Sequence, residues 1–355
     1  MSNIESQPDE IICGPTPSGG PVQVVAPREV PLGGPRAMMV RRTLPTRDRT
    51  MVGAWCFLDH YGGPDDHAPG SSMDLPPHPH TGLQTVTWLF TGLLEHRDSM
   101  GSVQQVRPGE LNLMTSGAGI CHSEVAVTDE PLHGAQLWVA LPDSARHGPR
   151  GFEHYVAESV SIDGAQLTVF IGELAGASSP VTTYSPLVGA ELILAPGAEL
   201  SLPVNPTFEH GVLVDLGALE LDGTELTRGD LGCAGIGRES LTLKAIGDEP
   251  VRVLVLGGEP LNEELVMWWN FVGRSHAEIE QFRADWQAQT DRFGVVEGYG
   301  TEVHREGRRP VVGGWEGRRP VVGGREGRKP DRVSWLPAPA LPTMPMKPRH
   351  NPPLL

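Results

Sequence analysis

The sequence predicts an all-β fold with two similar domains, and three observations lead to this prediction. Short runs of β-branched, aromatic and aliphatic residues alternate with turn residues, as in the run from Thr85 to Phe90, which is typical of strands. Glycine and proline are frequent, with 44 and 34 residues among 355. Residues 87–111 and 211–231 share one order: strand, glycine turn, strand, then arginine, glycine, an acidic residue and leucine. Such a repeat indicates an internal duplication.

Composition divides the chain into four parts. We expect residues 1–20, which are polar and rich in proline and glycine, to form a flexible tail. Two β-domains follow, at 21–174 and 181–295, separated by the linker Ala-Gly-Ala-Ser-Ser-Pro. The decapeptides EGRRPVVGGW and EGRRPVVGGR and a proline-rich stretch come next, and repeats this short cannot bury a core. We therefore expect residues 300–355 to be disordered, and a role as a basic interaction tail stays open.

A few short helices are expected, and one of them has start and stop signals. Ser275 and Glu278 have the spacing of a capping box, and Gly294 is the expected stop. The apolar residues between these signals lie near one helical face: Ile279, Phe282, Trp286 and Phe293. We expect this helix to pack on the body of the protein.

The charge distribution limits the classes of partner. The net charge is −16, but residues 301–355 contain 11 Lys and Arg against 5 Asp and Glu, so the first 300 residues carry −22. A body this acidic is unsuited to phosphate contacts, so we expect no direct binding of nucleic acid. The partner classes that remain are a small aromatic or enolisable substrate and another protein.

Cysteine usage and hydropathy bear on the compartment. The four cysteines are scattered, and they form no CxxC motif and no disulfide framework: Cys13, Cys56, Cys121 and Cys233. The N-terminus lacks the basic and apolar regions of a signal peptide, and no run approaches the roughly 18 apolar residues of a membrane span. We therefore expect a cytoplasmic protein without a membrane segment, and a monomer.

Two pairs of metal-binding residue types occur at i, i+2 spacing in extended segments. His78 and His80 lie in "PPHPHTGLQTVTWLF", and His122 and Glu124 follow the Gly-rich turn of "LNLMTSGAGICHSE". Residues i and i+2 of a strand point to the same face, so each pair presents two potential ligands together. By the same alternation Cys121 points to the other face and is not counted as a ligand.

Three imidazoles and one carboxylate form a recognisable donor set. It suits Fe(II), Mn(II), Ni(II), Zn(II) or Cu(II) better than Ca or Mg. The alternative is that these residues are structural histidines in loops, with their hydrogen bonds satisfied by the protein. One H-x-H alone is a weak signal, and the second pair is what favours a metal site.

The longer motifs "HPHTGLQTVTWLFTG", "EHRDSMG", "RPGELNLMTSGAGICHSE" and "LHGAQLWVALP", with "VLVLGGEPLNEELVMWWNFVGRSHAEIEQFRADW" in the second half, carry a resemblance. From about residue 25 to 290 the chain resembles the pirin family, a branch of the cupin superfamily. The resemblance implies two stacked cupin-type β-barrels, a bicupin. It also implies one metal, usually iron and here Fe(II), held by His78, His80, His122 and Glu124. The second half has no H-x-H, and His210 stands alone there, so the resemblance implies one metallated barrel.

Some bacterial pirins resemble quercetinases in activity. The resemblance therefore implies an iron-dependent quercetin 2,3-dioxygenase-type enzyme that cleaves a flavonol-like or other enolisable substrate with O2. Glu124 is then the candidate catalytic base, because it is the one carboxylate among the four ligands. The alternative is a metal-dependent regulatory protein that binds a transcriptional or metabolic partner without catalysis. A third option is a closed, structural metal site.

Other residues are weaker candidates for the site. Gln136, Trp138 and Met114 are interpreted as residues of the barrel interior, where ordinary core packing is the competing interpretation. The stretch Asp59-His60-Tyr61 is predicted to form a turn. It could instead edge the pocket.

Overall fold

The computed structural model describes residues 21–32, 38–63, 73–128, 130–300 and 335–348. These residues form 26 strands and one helix. The strands up to residue 156 are β1 (Gln23–Val25), β2 (Arg28–Leu32), β3 (Met38–Leu44), β4 (Trp55–Tyr61), β5 (Asp74–His80), β6 (Leu83–Thr91), β7 (Leu94–Asp98), β8 (Val103–Val106), β9 (Glu110–Thr115), β10 (Ile120–Ala126), β11 (His133–Ala140) and β12 (Gly151–Val156). The later elements are β13 (Ser159–Ile162), β14 (Ala165–Ile171), β15 (Glu173–Leu174), β16 (Ala177–Ser178), β17 (Leu187–Leu194), β18 (Glu199–Pro203), β19 (Glu209–Leu216), β20 (Ala218–Leu221), β21 (Thr224–Leu226), β22 (Leu231–Ala234), β23 (Ser240–Ile246), β24 (Val251–Gly258), β25 (Val266–Trp268), β26 (Phe271–Gly273) and α1 (His276–Gln287).

The sheets repeat one arrangement twice. In the first domain a seven-stranded sheet, β12-β9-β6-β11-β4-β3-β2, packs on a four-stranded sheet, β5-β10-β7-β8. In the second domain the corresponding sheets are β1-β22-β19-β24-β17-β14-β13 and β18-β23-β20-β21. Strand by strand the two orders correspond, with β6 matching β19, β7 matching β20 and β9 matching β22. These strands contain the repeated phrase of the sequence, and the structural repeat follows it.

The sheet memberships differ from the domain bounds expected from composition. β1, near the beginning of the described chain, pairs with β22 and therefore lies in the second sheet. β13 and β14 pair with each other and β14 with β17, so residues 159–171 also belong to the second domain. The chain thus passes between the domains after β12, well before the expected boundary at 174. Strand pairing is a long-range property, and composition does not report it.

Alternation along each strand separates two kinds of core. On β24, Val253 and Val255 face the interior of the second barrel, whereas Leu254 and Leu256 face the first domain. Leu137 of β11 joins the latter cluster from the first domain. The two seven-stranded sheets therefore pack against each other, and each barrel keeps its second face for its own interior.

The helix begins as predicted and ends earlier. Ser275 is the N-cap, and its hydroxyl accepts a hydrogen bond from the Glu278 N–H at 3.3 Å. The helix ends at Gln287, seven residues before the expected stop at Gly294, because the chain turns at Gln289, where φ is +51°. Phe293 is buried beyond that turn and packs edge-on against Trp286.

Part of the C-terminal stretch is ordered, which corrects the expectation for it. Residues 335–348 pack on α1, with Ala338 and Met346 buried. Residues 301–334 and 349–355, like the predicted tail at 1–20, lie outside the described residues. Within the described part of the chain, no helix has the length and apolar character needed to cross a membrane.

Candidate metal centre

The predicted ligands lie on two adjacent strands of the four-stranded sheet. β5 carries His78 and His80, β10 carries His122 and Glu124, and the two strands pair antiparallel with His78 opposite His122. The register shifts between His122 and Glu124, because the two residues are opposite His78 and Leu75, so β5 has one extra residue there, as at a β-bulge. Bulges re-aim side chains, and this one lies within the site.

The structure places all four residues in the interior of the first barrel, in two groups that overlap at His122. All four side chains are 0% exposed. The ring centroids of His78 and His122 are 4.3 Å apart, and those of His78 and His80 are 5.2 Å apart. Ligand atoms of His78, His80 and His122 lie within 4.8 Å of one another, and so do those of His96, His122 and Glu124. Each set could hold a metal ion, and they share His122.

Hydrogen bonds on the outer nitrogens orient the rings. The Nδ1 of His78 lies 2.9 Å from the Pro76 carbonyl oxygen, and the Nδ1 of His80 lies 3.2 Å from that of Asn270. A carbonyl can only accept, so Nδ1 carries the proton and each Nε2 keeps a free lone pair. Among the described residues the Nε2 of His78 has no hydrogen-bond partner. The Nε2 atoms of His80 and His122 lie 3.1 Å apart. Buried lone pairs that converge in this way fit a cation.

Burial also keeps these imidazoles neutral. It lowers the pKa of His78 to about 3 and the pKa values of His80 and His122 well below the ordinary value. Neutral imidazole is the form that binds a metal.

Thr87 of the large sheet lies within hydrogen-bond distance of both Glu124 and Gln136. The Thr87 hydroxyl lies 3.3 Å from the Glu124 Oε1 and 3.0 Å from the Gln136 Oε1. Its single proton can serve one acceptor at a time. The Nε2 of Gln136 has no hydrogen-bond partner among the described residues, although the side chain is fully buried. Gln136 therefore belongs to the interior of this site, as its position on β11 indicated.

Two site residues were missed by the sequence analysis. His96 and Asp98 lie on β7, which pairs with the other side of β10, and Glu124 is opposite His96. The Nδ1 of His96 lies 3.2 Å from the Nδ1 of His122, and its Nε2 lies 3.3 Å from the Asp98 Oδ2. Burial raises the pKa of Asp98, but the hydrogen bonds from His96 and Ser102 outweigh this effect and hold the pKa below its ordinary value. The i, i+2 spacing of His96 and Asp98 was the available signal.

The remaining candidates have mixed outcomes. Trp138 lies edge-on to His80, with 5.2 Å between the ring centroids. Met114 is buried on β9 between Thr85 of β6 and Phe152 of β12. Cys121 points away from the ligands, as expected, and packs in the apolar cluster around α1.

The predicted turn at Asp59-His60-Tyr61 is wrong, because these residues lie in β4 and are fully buried. The Nε2 atoms of His60 and His133 lie 2.7 and 2.5 Å from the same Asp215 oxygen, which joins the two domains. The distances would admit a metal ion. However, Arg252 binds the other Asp215 oxygen at 2.5 Å, and Arg41 donates to the His60 Nδ1. This cationic surrounding favours an ion-pair network between domains.

The corresponding positions of the second barrel are apolar. β18 and β23 match β5 and β10, and the paired residues that face the barrel interior are leucines, with Leu200 opposite Leu243 and Leu202 opposite Leu241. All four side chains belong to the interior cluster of that barrel. His210 lies on β19, where burial lowers its pKa to about 4.

Comparison with known proteins places the chain in a family. The family model "Pirin" matches residues 37–139, and the model "Pirin C-terminal cupin domain" matches residues 189–294. A Pseudomonas aeruginosa protein named "Putative quercetin 2,3-dioxygenase" is 44% identical over 278 residues, which span 78% of this chain and 87% of that protein. The chain belongs to the pirin family. Human pirin is 29% identical to this family member over 262 residues, 72% of this chain and 88% of human pirin.

Solved structures of similar proteins share the architecture. The crystal structure of a quercetin 2,3-dioxygenase from Acinetobacter baumannii superposes with a TM-score of 0.76 at 36% identity, covering 92% of this chain and 98% of that one. The bacterial pirin YhhW from Escherichia coli, in complex with nickel(II), gives a TM-score of 0.53 at 18% identity, covering 67% and 99%. The latter shows a shared fold. The prediction of a pirin-type protein with two cupin domains is confirmed.

Proposed function

We propose that this pirin binds one Fe(II) ion through His78, His80, His122 and Glu124 and acts as a dioxygenase of the quercetin 2,3-dioxygenase type. The observation that carries the proposal is the set of buried, unprotonated Nε2 atoms that converge while each Nδ1 is held by another group. The names of the Pseudomonas and Acinetobacter relatives support this reaction class. The donor set suits several first-row metals, and iron is the metal that the pirin resemblance implies.

The chemistry divides between the ion and the protein. A divalent ion bound there would supply positive charge and one or two open coordination positions for O2 or for a substrate oxygen. Glu124 would accept the proton of the substrate's 3-hydroxyl group, which leaves an enolate oxygen. The Thr87 hydroxyl would stabilise the Glu124 carboxylate, and the free Nε2–H groups of Gln136 would donate to a substrate oxygen.

One observation favours the two functions without catalysis, the structural metal site and the regulatory protein. All four proposed ligands are 0% exposed. A surface cleft of about 720 Å³, lined by residues that include Gly119, Arg150 and Arg292, contains none of them. A closed site is typical of a structural metal, whereas a catalytic site must open to its substrate.

The deciding experiment is anaerobic purification, metal analysis and measurement of O2 uptake with quercetin. The test variant is the double substitution His78→Ala with His80→Ala, and the matched control is His147→Ala, at an exposed histidine. We expect bound iron and O2 uptake that the double variant loses and the control keeps. Bound iron without uptake on quercetin or a panel of enolisable phenols would favour the regulatory function. Failure of the wild-type protein to take up Fe(II) would refute the metal site.

A further inference from the structure

The ordered C-terminal residues contact the strand that carries two of the proposed ligands. The Leu336 N–H donates to the Pro77 carbonyl oxygen at 2.7 Å. Pro77 precedes His78, and the preceding carbonyl, that of Pro76, binds the His78 Nδ1. A contact from residue 336 is thus one residue away from the first proposed ligand.

β5 needs such contacts because it is the edge strand of its sheet. Three of its seven residues are prolines, which donate no hydrogen bond and are typical of edges. At its C-terminal end the open side is covered by Val272, whose N–H donates to the Thr81 carbonyl at 3.1 Å. At Pro77 the open side is covered by Leu336. Each of the two ligand histidines therefore has a covering segment beside it.

The segment that supplies Leu336 is itself held on α1. The Trp286 Nε1–H donates to the Leu336 carbonyl at 2.8 Å, and the ring of Trp335 stands edge-on to Trp286, with centroids 5.3 Å apart. The Ala338 N–H donates to the Gln287 Oε1 at 2.9 Å. Leu336 is therefore clamped between the helix and β5.

Residues after Ala338 in the same segment also contact α1. The Arg283 Nε–H donates to the Pro339 carbonyl at 2.6 Å, and the Met346 N–H donates to the His276 Nδ1 at 3.2 Å. Ala338 and Met346 are 7% and 5% exposed. The attachment thus extends along the whole length of α1.

A residue that precedes this segment in the chain, Tyr299, also contacts β5. The Tyr299 hydroxyl donates to the Asp74 Oδ1 at 3.0 Å, three residues before Pro77 on the same strand. The polypeptide therefore contacts β5 at Asp74 before residues 301–334 and again at Pro77 after them.

We propose that residues 335–339 form a strap that fixes β5 in the metal centre and slows the release of a bound metal ion. The inference rests on the proposed metal site. Release of the ion requires His78 to move away. The strap restrains β5, the strand of His78, on the side where no neighbouring strand pairs with it. Leu336 is thus a positioning residue, which acts on His78 through Pro77.

The test uses the full chain with two substitutions in the strap. Leu336→Pro removes the N–H that binds the Pro77 carbonyl, and Trp335→Ala removes the ring on Trp286. Met344→Pro is the matched control, because Met344 also precedes a proline and is 75% exposed. Trp335→Ala carries the comparison alone if Leu336→Pro does not fold, as judged by circular dichroism.

Two readouts are measured. Each protein is loaded anaerobically with Co(II), and its release to excess EDTA is followed by visible absorption. Hydrogen exchange of the peptide covering β5 is followed by mass spectrometry in the metal-free proteins. We expect release about ten-fold faster in the strap variants, the order of effect seen when a partner of a ligand is lost, and faster exchange in β5.

The outcomes separate this inference from the proposed function. Normal Co(II) uptake with equal release and equal exchange in wild type and strap variants would overturn the strap alone. An equal effect of Met344→Pro would also overturn it, because that residue makes no part of the clamp. Absence of uptake of Co(II) and Fe(II) by the wild type would overturn the metal site and, with it, the role of the strap in retention.

Discussion

His96 lies between Asp98 and His122 and determines which nitrogen of His122 carries a proton. The Asp98 carboxylate accepts from the His96 Nε2–H, so the His96 Nδ1 is left as an acceptor for the His122 Nδ1–H. The His122 Nε2 then has a lone pair that faces the Nε2 of His80. The order Asp98–His96–His122 makes a carboxylate-histidine chain behind a proposed ligand.

We predict that His96→Leu lowers the affinity for Fe(II) or Co(II) about 10- to 100-fold, because the His122 ring loses the acceptor that fixes its tautomer. The measurement is competition with a chelator of known affinity. His147→Leu, at an exposed histidine, is the control and should bind as the wild type does. Unchanged affinity in His96→Leu would show that His122 does not depend on this chain.

We predict that Glu124→Gln, in protein that retains its metal, lowers turnover of quercetin at least about 100-fold. The reason is that an amide cannot accept the substrate proton, and general-base catalysis contributes about 10²- to 10⁴-fold. Turnover is measured by O2 uptake per bound metal. Glu220→Gln, on β20 of the second domain, is the control. Full turnover in metal-loaded Glu124→Gln would remove the catalytic role from Glu124.

We predict that Asp215→Asn destabilises the folded protein by about 3–5 kcal/mol, because it leaves Arg252 without its buried counter-charge. The free energy of unfolding is measured by denaturant titration. Asp248→Asn, at an exposed carboxylate, should change it by less than about 0.5 kcal/mol. Equal stability of the two variants would mean that the interdomain network contributes little.

We predict that the metal-free protein loses stability as the pH falls from about 6.5 to about 4. Burial lowers the pKa of both His60 and His210 to about 4 in the folded state, and their ordinary value is 6.5. In this window the unfolded chain binds more protons than the folded one, so acid favours unfolding. Each group contributes up to about 1.4 kcal/mol per pH unit.

The pH prediction is checked by denaturant titrations at several pH values. His210→Gln should show a shallower decline of the unfolding free energy than the wild type, because one of the buried imidazoles has been removed. His147→Gln should decline as steeply as the wild type. Identical slopes for His210→Gln and the wild type would contradict the assignment to His210.

Local patterns predicted the pairs and the strands that carry them. His78 with His80, and His122 with Glu124, were predicted to share a face because the side-chain period of a strand is two. That rule depends on neighbouring residues alone, and the structure brings each pair into one interior. The N-cap at Ser275 was predicted for the same reason, because its hydroxyl accepts from the N–H three positions on. The second half of the predicted capping box is not formed, because the Glu278 carboxylate accepts from the Arg274 N–H instead.

Contacts between distant segments could not be predicted in this way. His96 reaches His122 because β7 pairs with β10, and nothing in the residues around His96 indicates that pairing. The stretch Asp59-His60-Tyr61 resembles a turn in composition, yet it is a buried strand because Asp215 of the other domain satisfies His60.

The proline-rich C-terminus shows the same limit. Its composition predicts disorder, since it has few apolar residues to bury. Prolines, however, reduce the conformational entropy that ordering must overcome, and an apolar surface around Trp286 was already available. A few contacts therefore suffice to order residues 335–348.

The sequence by itself determined the fold class, the two related domains and the family, and it predicted the four proposed ligands, because these depend on local periodicity and on contiguous motifs. The tertiary structure decided the course of the chain between the sheets, the residues behind His122, the ion-pair network at Asp215 and the strap on β5. These features arise where segments far apart in the chain satisfy one another's hydrogen bonds and bury one another's apolar surface, and such pairings leave no local signature.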